Sequence, residues 1–188
     1  MDPEPWYWAS HPAEGWVPVR VQSAPEGGSI GTLPSGEQIL LNNTSSLLPA
    51  NEKSLQPCEN LTSLQELTEP ALLWCLKQRF LSPRCDMYTY ISSILVSVNP
   101  FKQIPSLFSP HVMTTYRDAL SRRAEMPPHV YALADRAFKS LSTAPTAATT
   151  GARVAVVISG ESGAGKSEAT KLVMQYLAEC SGQVRFDN

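Results

Sequence analysis

The chain has 188 residues, 15 basic and 17 acidic side chains, and a formal net charge of -2. Apolar residues make up 43%, enough for a packed core and too many for a chain disordered throughout. The near-neutral balance argues against a nucleic-acid-binding module. No apolar run approaches the ~20 residues that span a bilayer, and the start MDPEPWYWAS has no signal-peptide pattern. The expectation is a soluble cytoplasmic chain of one domain plus a small module. The cysteines, Cys58, Cys75, Cys85 and Cys180, form no C-x-x-C pair and have no His at metal-ligand spacing, so they read as reduced thiols.

Residues 1–50 read as a small β module. Val17, Val19 and Val21 alternate with Pro or polar positions, as in a half-buried strand. APEGG (24–28) is a turn, and LPSGEQILL (33–41) turns at Ser35-Gly36 into another strand. Trp6, Trp8 and Trp16 suit the core of so small a module; an aromatic ligand groove is the sharper alternative. NNTSSLLPANEKSLQP (42–57) is polar and rich in turn formers, so a linker is expected there.

A helix is expected to start at Thr68 as N-cap, with Pro70 in its first turn and Leu72, Leu73, Leu76 and Phe80 as its buried stripe. YTYISSILVSVNP (88–100) reads as a strand with Ile94, Val96 and Val98 on one face, stopped by Asn99-Pro100. Ser109-Pro110 starts a second helix, burying Val112, Met113, Tyr116 and Leu120. Pro127-Pro128 opens a third, with Val130, Leu133, Ala134, Ala137, Phe138 and Leu141 at helical spacing. STAPTAATTG (142–151) is a low-complexity loop.

The most informative stretch is AVVISGESGAGKSEATKLVMQY (155–176). Gly160, Glu161, Ser162, Gly163, Ala164, Gly165, Lys166 and Ser167 spell G-x-x-x-x-G-K-[ST]. Glycines let consecutive N–H groups turn inward on phosphate oxygens, and the following helix adds its unpaired N–H groups and positive dipole end. Lys166 would reach the β- and γ-phosphates of a bound nucleoside triphosphate, and the Ser167 hydroxyl would meet its Mg²⁺. The context fits. Val154–Ile158 is an apolar run suited to a buried strand, and Ala169, Leu172, Val173, Tyr176, Leu177 and Cys180 recur at helical spacing before Gly182. Asp86, Asp118, Asp135 and Asp187 include none that follows an apolar strand as a Mg²⁺-linked Asp should, so no catalytic residue is assigned.

The loop is more specific than its generic pattern. GESGAGKSEATK resembles the phosphate loop of myosin motor domains, and other segments match that family in order. LTEPALLWCLKQRF (67–80) is similar to its L-x-E-P-A-x-L helix, and YTYISSILVSVNPFK (88–102) to the strand and N-P-[FY]-K turn beside the adenine. EMPPHVYALAD (125–135) resembles its P-P-H helix start, and HPAEGWVPVRV (11–21) the small SH3-like barrel that precedes many of these motors. The resemblance implies an α/β P-loop NTPase with a mixed, mostly parallel central sheet, incomplete in this chain, after an SH3-like β barrel. It divides the chain into 1–50 and 51–188. It implies Mg-ATP as ligand, with Asn99, Pro100, Phe101 and Lys102 on the adenine side, and His129 as a structural helix-start residue; His11 and His111 are taken as surface residues.

The resemblance further implies a cytoskeletal, actin-activated ATPase motor. Its contacts with actin filaments, and with light chains or calmodulin, would lie in regions beyond Asn188, as would the switch loops that position the attacking water. Two local departures stand out. Ser167 replaces the usual Thr, and PSLFSPHV (105–112) lacks the usual Tyr, with Leu107 or Phe108 falling nearby. Two other readings remain open. One is a truncated nucleotide-binding or scaffold product without ATPase activity. The other is a small-molecule kinase, which should carry an Arg-rich lid, whereas SGQVRFDN (181–188) holds one arginine.

Overall fold

Alternation of valines with polar residues builds the first sheet. β1 (Trp6–His11) and β2 (Gly15–Ser23) pair antiparallel from Trp6↔Arg20 to His11↔Gly15, and Gly15 takes φ 74° at the turn. β3 (Ser29–Thr32), β4 (Gln38–Leu41) and β5 (Leu48–Ala50) complete a five-stranded antiparallel sheet in the order β4-β3-β2-β1-β5, consistent with the SH3-like part. The computed structural model describes residues 4–23, 28–41, 44–104, 106–121, 126–143 and 153–182; the turn expected at 24–28 and the low-complexity loop fall almost wholly outside them. Two compact units divide between Asp86 and Met87.

In the first unit, successive β1 residues point to opposite faces. Ala9 packs with Val17 and Val19 on one side, and Trp8 lies fully buried against Ala71 and Trp74 on the other. Trp16 packs against that cluster, and Trp6 lies under the Arg20 guanidinium at 4.6 Å. The tryptophans therefore serve packing. The linker expected over 42–57 is instead partly structured. Leu48, Pro49 and Ala50 pair with Trp8, Tyr7 and Trp6, and Glu52–Leu55 forms a 3-10 turn capped by the Asn51 side chain. An edge strand containing Pro leaves a composition that looks like a loop.

Helix α1 (Glu69–Phe80) follows Thr68 with Pro in its first turn, as expected, but it buries a different face. Ala71, Trp74, Cys75 and Arg79 are inside, while Leu73 is 45% exposed. The bulk of Trp74 decides the rotation. Its ring meets Trp8 at 6.3 Å between centroids and its Nε1–H donates to the Leu55 carbonyl at 3.1 Å. Trp8 Nε1–H donates to Glu66 Oε1 at 2.8 Å, so each indole is both packed and satisfied.

In the second unit, residues 88–97 are not one strand but a hairpin. β6 (Tyr88–Ile91) pairs antiparallel with β7 (Ile94–Ser97), and Ser92 takes φ 55° in the two-residue turn. Two-residue hairpins need positive φ at their first loop position, and Ser-Ser carries no Gly or Asn to announce it. Helix α2 (Pro110–Ser121) begins where Ser109 Oγ accepts from Val112 N–H at 3.4 Å. It buries Met113 and Tyr116; the Leu120 side chain lies outside the described residues. Helices α3 (Val130–Thr143) and α4 (Lys166–Gly182) pack together, with Val130, Tyr131 and Ala134 meeting Val173, Tyr176 and Cys180 in one core.

Among the described residues the expected mostly parallel sheet is not found. Both sheets are antiparallel, and among the described residues Val154–Ile158 joins no ladder. Val157 is 86% exposed. A strand exists only through its neighbours' hydrogen bonds, and no described segment offers them to this run.

His129 begins α3. Its Nδ1 accepts from Tyr131 N–H at 3.0 Å, and its Nε2 lies 3.2 Å from the Leu107 carbonyl. The ring stacks on Tyr116 at 4.7 Å and touches Tyr88, Phe108 and Tyr131. Burial drives its pKa down from 6.5 to about 4, only partly opposed by the Leu107 carbonyl.

Two outcomes are expected. Trp8→Ala should destabilise the first unit by about 3–5 kcal/mol, measured by denaturant unfolding. The unfolded chain binds a proton on His129 between pH 6.5 and about 4 that the folded chain refuses, so stability should fall as pH drops through that window. The expected loss is on the order of 3 kcal/mol, and His129→Gln should flatten the profile in pH-resolved melts.

Candidate functional site

The glycine-rich turn between residue 159 and α4 is shaped by backbone conformations that side chains resist. Gly163 has φ 79° and Gly165 φ 94°, the left-handed region where a Cβ is strained. Ala164 N–H closes the turn on the Glu161 carbonyl at 3.2 Å. The first i→i−4 bond of α4 runs from Ala169 N–H to the Gly165 carbonyl at 2.9 Å. The N–H groups of Lys166, Ser167 and Glu168 precede it, at the positive end of a 17-residue helix. Lys166 Nζ donates to the carbonyls of Gly160 and Glu161 at 2.8 and 2.7 Å, which holds its charge over the loop. An anionic oxygen is a better acceptor than a peptide carbonyl, so this ammonium is poised to exchange partners. Ser167 is exposed at the start of the helix.

A second segment braces the loop. Asn99 Nδ2 donates to the Gly163 carbonyl at 2.7 Å, while its Oδ1 accepts from Phe101 N–H at 2.9 Å. One side chain thus ties the N-P-F-K turn to the glycine turn. A cavity of about 640 Å³ opens between them, lined among others by Tyr88, Asn99, Lys102, Phe108, Gly165 and Glu168. Pro100 also lines it; Phe101, at φ 50° and 83% exposed, does not. Phe108 lies on the wall, and Leu107 packs against the core. Gln103, Ser106 and Ser109 add polar groups that reading the motifs alone passed over. Glu168, Ala169 and Leu172 also line the cavity; they share a helix face with Gly165, the spacing that could have pointed to them.

The donor set suits a polyphosphate: exposed helix-start amides, a lysine and an adjacent hydroxyl. Among the described residues no cluster of three or more His, Cys, Asp or Glu could hold a metal by itself. A cation here would take Ser167 plus phosphate oxygens, the usual habit of Mg²⁺. The aspartates are engaged elsewhere. Asp135 accepts from Tyr176 OH at 2.8 Å and lies 2.8 Å from Lys139 Nζ; Asp86 accepts from Ser82; Asp118 lies beside Arg117. Asp187 is outside the described residues. His129 is buried away from solvent, His111 is exposed, and His11 Nδ1 accepts from Glu14 N–H at 3.1 Å.

The sequence profile described as Myosin head (motor domain) matches residues 58–186. Myosin-8 of Arabidopsis thaliana is 36% identical over 177 residues, covering 94% of this chain and 11% of that protein. Unconventional myosin-VI of Sus scrofa is 36% identical over 176 residues, covering 93% of this chain and 13% of that protein. Protein OPAQUE1 of Zea mays is 33% identical over 183 residues. The chain therefore spans only a small part of the length of the curated relatives it matches. No helix among the described residues is long and apolar enough to cross a membrane.

Asn99→Ala should release the Gly163 carbonyl. Amide hydrogen exchange in residues 160–165 is expected to quicken, while exchange in β1 and β2 stays unchanged.

Proposed function

The chain belongs to the myosin head (motor domain) family, and from that membership we propose that it forms the ATP-binding start of an actin-based motor. The single observation that carries this reading is the glycine turn at the head of α4, with Lys166 over it and Asn99 bracing it. In this reading Gly160, Glu161, Ser162, Gly163, Ala164, Gly165, Lys166 and Ser167 bind the phosphates. Asn99, Pro100, Phe101 and Lys102 form the adenine side, with Phe101 free to turn onto a base from its exposed position. Ser167 would hold Mg²⁺ together with the phosphates.

Mg-ATP, when bound, supplies a phosphoanhydride whose hydrolysis releases the free energy that a motor uses. The residues here bind and orient. Lys166 neutralises phosphate charge, the first-turn amides of α4 donate to phosphate oxygens, and Asn99 keeps the glycine turn in register with the adenine side. We assign residues 1–50 to an SH3-like module and 51–188 to the start of a P-loop NTPase motor domain. The apolar Val154–Ile158 run supports a strand of the mostly parallel sheet of that fold, with neighbours supplied by the rest of the protein. Actin binding, light-chain or calmodulin binding, water activation and a cytoskeletal location belong in this proposal to the whole protein, of which relatives are many times longer.

Lys166→Ala in the whole motor should weaken Mg-ATP binding about 10- to 100-fold and abolish ATP-dependent release from actin filaments in co-sedimentation. Unchanged release would overturn the proposal.

A further inference from the structure

Cys75 lies 17 positions after Cys58, and nothing in that spacing announces a pair; the fold of the first unit brings their Sγ atoms to 3.6 Å. Cys75 sits in the middle of α1 and is fully buried, whereas Cys58 is half-buried in an irregular segment between the 3-10 turns Glu52–Leu55 and Leu61–Ser63. Their contact is more than proximity. Cys58 N–H donates to Cys75 Sγ at 3.3 Å, Cys75 Sγ–H lies 3.6 Å from the Cys58 carbonyl, and Cys58 Sγ–H donates to the Asn60 carbonyl at 3.2 Å.

We propose that Cys58 and Cys75 form a reversible disulfide, with a peroxide as the oxidant. A disulfide needs the sulfurs at about 2.05 Å, so they must close by roughly 1.5 Å. Cys58 can supply that movement, because its segment is held by short turns and not by a helix or sheet. Access sets the order of events. The Cys58 thiolate attacks one peroxide oxygen, the O–O bond breaks, and after protonation a water leaves a sulfenic acid on Cys58. Cys75 Sγ then attacks that sulfur, the S–O bond breaks, and the departing hydroxide leaves as a second water with the Cys75 proton. Two thiols and one peroxide thus become one disulfide and two waters. Burial, with Cys58 close by, pushes the Cys75 thiol up to about 11, which fits its role as the second, resolving thiol. Two molecules of a small thiol reverse the bond by exchange, leaving as their own disulfide. The closed bond would fasten the segment that follows the sheet to the middle of α1.

The test uses the intact protein in its native state, treated with dilute hydrogen peroxide, alkylated, digested and mapped by mass spectrometry. The expected product is a Cys58–Cys75 linked peptide, lighter by two hydrogens than its separate parts and lost on treatment with dithiothreitol, with Cys85 and Cys180 alkylated. Cys85→Ser should leave that product unchanged, and Cys58→Ser should remove it. Cys58 recovered as a free thiol or a sulfinic acid with no linked peptide, or a link that appears only after denaturation, would overturn the proposal.

Discussion

A neutral imidazole in an aromatic enclosure holds the second unit together. His129 is 2% exposed, and four separate segments close on it: β6 through Tyr88, the stretch before α2 through Leu107 and Phe108, α2 through Tyr116, and α3 through Tyr131. A protonated ring would have to be stripped of water in an apolar site, at a cost that the single carbonyl facing Nε2 cannot offset. The neutral ring instead accepts at Nδ1 from the first turn of α3 and fixes where that helix begins. Pro127 and Pro128 stand just before the N-cap, where their fixed φ and the lack of N–H groups keep the helix from extending backwards.

One side of the glycine turn is set by where α3 lies. One turn into α3, Asp135 is buried and accepts from Tyr176 OH. Burial first, and that carboxyl group second, raise the Tyr176 pKa well above its ordinary value, so the phenol stays a donor. Tyr176 also stacks on Tyr131 at 5.4 Å. This pairing of α3 with α4 sets the axial position of α4, and its first residues are Lys166 and Ser167. The other anchor comes from the hairpin. The ladder of β6 and β7, extended by Val98 N–H to the Met87 carbonyl at 2.9 Å, delivers Asn99 to Gly163. A rigid helix pair and a rigid hairpin thus hold the two sides of one cavity, while the turn between them carries the special backbone angles.

Much of this was legible in the residues. The glycine-turn spacing, the helix start at Ser109 and the buried face of α4 rest on local chemistry that a sequence displays directly, whereas the structural part played by His129 came from the family resemblance. What was not legible depended on partners far along the chain. The buried face of α1 turned on Trp74 finding Trp8, a choice that helical spacing of leucines cannot express. The Ser92-Ser93 turn gave no glycine signal, so one hairpin read as one strand. β5 read as a linker because its pairing with β1 is invisible in its own composition. The Asn99–Gly163 bond joins residues 64 positions apart, although both belong to motifs that stood out separately. The run at 154–158 shows the opposite case, since its composition suits a strand and only neighbours could make it one.

The first unit is continuous in sequence, from Met1 to Asp86, and that continuity matters during synthesis. A ribosome releases the chain from its amino end, and units made from adjacent residues can fold as soon as they clear the exit tunnel. Hairpin β1–β2 needs only neighbouring residues, whereas β5 and then α1 must arrive before Trp8 is covered. The two indoles therefore act as a timer: the nascent sheet keeps an open apolar face until Trp74 has emerged, and from that moment the unit is sealed while the glycine-rich turn before α4 is still being translated.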